Sequence, residues 1–174
     1  MVNPLELAIE ERPIRVTTGA TLEGDLGLPK KARGIVLFAH GSGSSRFSSR
    51  NRYVARLLNV ANLATVLVDL LTADEEAIDV RTAHLRFNIG LLAERVVAAT
   101  DWVIRYPATQ HLPLGYFGAS TGAAAALVAA AKRPKLCALS CPEAGAPIWR
   151  VRRWPTFKRR RSLSSAETMS RSYS

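Results

Sequence analysis

Apolar residues in the first three quarters of the chain follow two rhythms. Continuous runs, GIVLFAH at 34–40, ATVLVDL at 64–70 and LPLGYFGAS at 112–120, have the pattern of strands covered on both faces of a parallel sheet. Between them the period lengthens. Tyr53, Leu57, Leu58 and Ala61 recur at helical spacing within 52–61, as do Leu91, Leu92, Arg95, Val96 and Ala99 within 88–105. TGAAAALVAAAK at 121–132 predicts a helix of small residues. Upstream, 5–9 and 13–17 read as strand pieces, and TTGATLEGDLGLP continues them as a glycine-punctuated hairpin. The stretch between the second buried strand and residue 88 reads as a polar loop. This alternation of strand and helix predicts a doubly wound, mostly parallel α/β sheet.

After Arg133-Pro134 the pattern stops. Residues 137–174 mix tryptophan, proline, arginine runs and serine with no sustained period, so the chain divides into an α/β part at 1–136 and a basic tail at 137–174 expected to be disordered. The charge divides at nearly the same place. Of the net +10, residues 132–174 hold 11 Lys/Arg against 2 Asp/Glu, whereas residues 1–131 hold 13 against 12. A length of 174 residues fits one domain.

The N-terminus is acidic and carries a proline, unlike a signal peptide, and the longest apolar run, 123–131, is too short to cross a bilayer. Cys137 and Cys141 make neither a disulfide framework nor a zinc site. These features predict a cytoplasmic protein with no membrane partner, no metal and no cofactor, and they leave the oligomeric state open.

The chemistry concentrates in Gly118-Ala119-Ser120-Thr121-Gly122. A G-x-S-x-G directly after a buried strand and directly before a helix is the context of a nucleophile elbow. The sharp turn lifts the Ser120 hydroxyl above the sheet edge, and the flanking glycines remove Cβ atoms that would collide across it. A small-residue turn chosen only for tight helix–sheet packing is the alternative. The second half of the signal is HGSGSS at 40–45. An acyl oxyanion needs two backbone donors, one from the residue after the nucleophile and one from the loop after this earlier strand. Thr121 supplies the first, and Gly41 or Ser42 the second. The same loop imitates a dinucleotide-binding turn with Asp69 downstream, but Arg46 stands where the third glycine is needed and the spacing to Asp69 is long.

Residues 39–72 (AHGSGSSRFSSRNRYVARLLNVANLATVLVDLLT), FNIGLLAERVVAATDWV and LPLGYFGASTGAAAALVAAA resemble the dienelactone hydrolase-like branch of the α/β-hydrolase superfamily, over about residues 5–136. The resemblance implies the α/β-hydrolase sheet, cut off here after the elbow helix, a nucleophile at Ser120, and small-molecule esters or lactones as substrates. One departure is that the namesake enzymes carry a cysteine nucleophile where this elbow has serine.

A serine hydroxyl needs a histidine to take its proton and a carboxylate to orient that histidine. In this family the order is Ser, then Asp, then His. Downstream of Ser120 the chain has neither Asp nor His, and its only carboxylates there are Glu143 and Glu167. Upstream, His40 is expected to shape its loop, His84 lies in the loop before the long helix, and His111 precedes its strand and so lies at the opposite edge. Asp69 and Asp74 stand at or after the correct end of a strand, but without a base they activate nothing.

The tail itself suggests a cause. Read one base earlier from about Leu136, each codon takes its last two bases from the first two of the residue written here. UCN serines then become hydrophobic residues, and Thr168 and Met169 become Tyr, His, Asn or Asp. With suitable wobble bases FKRRRSLSSAETMSR turns into Val-Gln-Ala-Pro-Thr-Leu-Leu-Ile-Val-Gly-Gly-Asn-Asp-Glu-Pro, a strand, a glycine turn and an aspartate. That resembles the place where the family carries its triad Asp. The sequence thus reads as a serine hydrolase scaffold impaired by a displaced frame that removes strands from its sheet and leaves the Ser120 strand with a bare edge. The alternative is a non-catalytic α/β protein whose basic tail binds nucleic acid or phosphate, a partner that the near-neutral α/β part does not favour.

Overall fold

The computed structural model describes residues 9–133 and, as backbone, 137–140. Strands β1 (Ile9–Thr18) and β2 (Ala20–Pro29) form an antiparallel hairpin that turns at Gly19, whose φ of 61° is left-handed and carries no Cβ penalty for glycine. Ile14 and Val16 of β1 and Leu22 and Leu26 of β2 are buried. On β1, an outer strand of the sheet, Pro13 and the charged Glu10, Glu11, Arg12 and Arg15 are exposed. The sequence expectation of two strand pieces gives way to this single strand, and residues 5–8 lie outside the described region.

Four parallel strands complete the sheet: β3 (Ile35–Ala39), β4 (Ala64–Val68), β5 (Leu114–Gly118) and β6 (Cys137–Ser140), in the order β1-β2-β4-β3-β5-β6. The antiparallel pairs are β1–β2 and β2–β4, so among the described strands β2 runs against the direction of the others. All five residues of β4 are buried, as expected for a strand flanked by neighbours and covered on both faces. The bare edge expected on β5 is absent: residues 137–140 of the presumed tail pair with it, Leu114 opposite Cys137 and Phe117 opposite Ser140. Residues 141–174 lie outside the described region.

Helices α1 (Ser49–Val60), α3 (Ile89–Val103) and α4 (Thr121–Lys132) occupy the predicted regions. α1 covers one face, where Ala55 and Leu58 pack with Phe38 and Leu67. α3 and α4 cover the other, placing Leu92, Val96, Ala99, Ala125 and Ala129 against Leu37, Val66 and the fully buried Tyr116. Each buried Leu, Ile or Val side chain contributes about 2 kcal/mol by leaving water. Thr100, Tyr116 and Asn59 satisfy polar atoms inside this core. Thr100 Oγ1 lies 2.7 Å from the Tyr116 hydroxyl, and Asn59 of α1 donates to the Leu63 carbonyl at 2.9 Å and to Thr65 Oγ1 at 3.1 Å.

The stretch read as a polar loop holds a helix, α2 (Ala73–Thr82). Its start is a capping box: Thr72 Oγ1 accepts from Glu75 N–H, and the Glu75 carboxylate accepts from Thr72 N–H. The same Glu75 receives the Nη2 donor of the buried Arg95 at 2.7 Å, tying α2 to α3. At the far end Asp79 is buried and organises the return to α3. It accepts from the N–H groups of Leu85 and Arg86 at 2.6 and 3.2 Å and from Arg86 Nε at 2.5 Å. Burial alone would raise the Asp79 pKa, but the hydrogen bonds from Arg86 and Leu85 together with the Arg86 charge outweigh it and hold the carboxyl below its ordinary value.

Two predictions follow from this packing. Asn59→Ala leaves the Leu63 carbonyl without its donor and lowers the unfolding free energy by about 2 kcal/mol, measured by urea denaturation; a loss below about 0.5 kcal/mol refutes the bridging role. For Asp79 the folded pKa lies under the unfolded one, so its contribution is present above the unfolded value of 3.8 and fades as pH falls through the lowered folded value. Asp79→Asn therefore destabilises the protein at pH 7 and by progressively less in acid. An equal deficit at pH 7 and in strong acid contradicts this assignment.

Candidate active site

The order of strands reverses between β3 and β5. The chain leaves β3 toward β4 on one side, and β5 then enters on the other. Loops leaving the carboxyl ends of two such strands diverge and open a crevice, the usual place for a ligand in an open α/β sheet. The 40–48 loop leaves β3 here, and the Ala119-Ser120 turn leaves β5.

Ser120 joins β5 to α4 at φ 51° and ψ −126°, a left-handed backbone held by a residue with a side chain. Such a conformation costs about 1–3 kcal/mol and persists only where the surroundings fix it. The surroundings do so by close approach. A Cβ on Gly122 would overlap the carbonyl oxygens of Ala39 and His40, and one on Gly118 would meet Ala123 Cα at 2.8 Å. The first turn of α4 therefore rests directly on the end of β3. Ser120 is exposed, and although it stands at the N-cap, its side chain makes no capping hydrogen bond.

The 40–48 loop lies against this turn. A Cβ on Gly41 would come within 2.9 Å of the Ala119 carbonyl and 3.3 Å of Ser120 Cβ. Among the described residues, the backbone N–H groups of Gly41, Ser42 and Thr121 donate no hydrogen bond within the protein. Thr121, Gly41 and Ser42 also bound one cleft, together with His40, Asp69, Asp79, Arg86 and Leu92. It encloses about 30 Å³, room for one or two waters.

Two polar anchors set the loop in place. His40 Nε2 accepts the Leu70 N–H at 3.0 Å, and its Nδ1 lies 3.0 Å from the Gly41 carbonyl. With Nε2 accepting, Nδ1 carries the ring proton and donates to Gly41. Both nitrogens are thus used by backbone, which is the loop-shaping role expected of His40. Arg46 is the second anchor: its N–H donates to Asp69 at 2.6 Å, its guanidinium pairs with Asp69 Oδ2, and Glu23 stands 3.4 Å away. In the sequence alone Arg46 stands out only as a missing glycine. Its pairing with Asp69 gives that strand-end carboxylate a partner other than a histidine.

The remaining candidates are dispersed. His84 is exposed in the turn after α2. His111 is exposed before β5 and borders a different groove with Ile9, Leu28 and Lys30, at the opposite end of the sheet from Ser120. Asp74 is exposed in the first turn of α2. Asp79 and Arg86, both at the cleft, were missed. The only signal available for them was the Thr72–Glu75 capping box, which announces a helix where a loop was expected. No described helix is long and apolar enough to cross a membrane.

Comparison with known proteins agrees with this geometry, although no protein-family model matches. A dienelactone hydrolase from Anabaena variabilis is 61% identical, with a TM-score of 0.75 over 76% of this chain and 62% of its own. A Pyrococcus furiosus esterase (19% identical, TM-score 0.60, 80% of this chain and 52% of its own) and a dienelactone hydrolase-like promiscuous phosphotriesterase from metagenomic libraries (17%, 0.61, 77% and 59%) share the fold. Two Mycobacterium tuberculosis proteins, provisionally named phosphoribosyl transferases, are 53% identical over 124 residues, which is 71% of this chain and 27% of theirs. The chain thus spans about a quarter of these curated relatives and under two thirds of the Anabaena enzyme. On the sheet order, the strained serine turn and these likenesses, the chain belongs to the α/β-hydrolase superfamily, in its dienelactone hydrolase-like branch.

Proposed function

We propose that this chain carries the acyl-transfer site of a serine hydrolase acting on small carboxylic esters or lactones, with Ser120 as nucleophile and the backbone N–H groups of Thr121 and of Gly41 or Ser42 as the oxyanion hole. The observation that carries this reading is the left-handed Ser120, uncapped and exposed beside unpaired N–H groups. In the reaction Ser120 Oγ bonds to the substrate carbonyl carbon while its proton passes to a base. The carbonyl oxygen takes up negative charge, which donors fixed in advance stabilise without reorganising. Collapse of that intermediate expels the alcohol, and water then releases the acid. The named relatives include a dienelactone hydrolase and an esterase, which favours ester and lactone carbonyls over the phosphoribosyl chemistry in the mycobacterial names, since those proteins are mostly sequence that this chain does not match.

Turnover is expected to be weak. No histidine or aspartate follows Ser120 in the sequence, and His40, the histidine at the cleft, has both ring nitrogens engaged. Fixed donors and binding alone still leave a site some activity over water when triad members are removed. The displaced reading frame from about Leu136 supplies the reason for the missing partners.

The reading is checked by treating the full chain with a fluorophosphonate. Adduct mass is expected on Ser120 and is lost in Ser120→Ala, while ester turnover falls about a thousandfold or more below that of a hydrolase with its triad. Brisk turnover abolished by replacing His40 or His84 overturns the impairment, and adducts confined to other residues overturn the site. Sequencing the coding DNA tests the frame. An open −1 frame encoding the strand, glycine turn and aspartate is expected, and stop codons in that frame dismiss the explanation.

A further inference from the structure

Among the described residues two buried polar side-chain atoms have no hydrogen-bond partner, Arg95 Nη1 and Thr121 Oγ1. Arg95 keeps its Glu75 ion pair and does not border the cleft. Thr121 does border it, immediately after the proposed nucleophile. A hydroxyl buried without a partner costs about 1–3 kcal/mol, and its methyl isostere would carry no such cost. The start of the helix does not use the hydroxyl either: Thr121 is the first residue of α4, and its Oγ1 bonds to no backbone group.

The cleft that Thr121 borders is small. The cleft encloses about 30 Å³, little more than a water or two. It is bounded by Gly41, Ser42 and Thr121, whose N–H groups are also unpaired. A site that offers several donors favours an oxygen bearing negative charge over a neutral one.

We infer that the Thr121 hydroxyl is a third donor to the oxygen that becomes charged when Ser120 attacks, acting beside the backbone N–H groups as a catalytic residue. This deepens the proposed function and rests on it. It also separates two contributions of one residue: the N–H belongs to any amino acid at position 121, whereas the hydroxyl belongs to Thr or Ser.

The test measures the rate at which the full chain is labelled by a fluorophosphonate. In that step the Ser120 Oγ–P bond forms, the P–F bond breaks, fluoride leaves, and the serine proton passes to solvent. The phosphoryl oxygen meanwhile gains charge where an acyl oxyanion would. Thr121→Val keeps shape and backbone but removes the donor, and Thr121→Ser keeps the donor. Labelling is expected to slow about 10- to 100-fold in Thr121→Val and to stay within about threefold in Thr121→Ser, with the Thr121→Val melting temperature equal to or above that of the unaltered chain. Equal labelling of Thr121→Val and the unaltered chain overturns the role of the hydroxyl while leaving the nucleophile in place. A fall in the melting temperature of Thr121→Val also overturns it, by revealing an internal partner for the hydroxyl. No labelling of Ser120 in the unaltered chain removes the nucleophile, and the third donor with it.

Discussion

The contact between the first turn of α4 and the carboxyl end of β3 governs the rest of this structure. Gly122 has the Ala39 and His40 carbonyl oxygens where its own Cβ would stand, so helix and strand approach to backbone contact. A chain leaving β5 can reach that position only through a very tight turn, and Ser120 absorbs the bend in a left-handed conformation. Strain at one residue is thus balanced by burial along the helix, where Ala125, Ala126 and Ala129 pack without exposure. Larger side chains at those positions would lift the helix and relax the turn. The alanine-rich composition of α4 and the unusual backbone of Ser120 are two consequences of the same distance.

The loop opposite is fixed by polar contacts. His40 joins the Leu70 amide to the Gly41 carbonyl, and Arg46 joins the loop to Asp69 with Glu23 nearby. Both anchors bind the 40–48 loop to the end of β4, the neighbour of β3 on the side away from Ser120. The loop is therefore held from one side by side chains and pressed from the other by the elbow, and the N–H groups of Gly41 and Ser42 are left unused. Donors arranged in this way need no rearrangement to meet a charge.

Much of this was legible in the sequence. The parallel strands were readable because burial on both faces leaves uninterrupted apolar runs, and β4 is buried at every position. The elbow was readable because its glycines are required by contacts that tolerate no Cβ. α2 was not, because its one buried residue is Asp79, so it has no apolar stripe and its stability comes from a capping box and ion pairs. β6 was missed for a related reason: four residues are too few to show a period, and they stand at the start of a stretch with none. Arg46 and Arg86 escaped because an arginine's partner depends on which strand ends the topology brings together, and the order of strands is not written locally.

The outer hairpin strand carries a separate consequence. β1 ends the sheet on its side, and in place of an unbroken row of donors it presents Pro13, which has no amide proton, flanked by exposed charges. A strand from a second molecule laid along it would lose a rung of its ladder at the proline and would desolvate both carboxylates and guanidinium groups. Strand addition is thereby disfavoured along the described part of this margin.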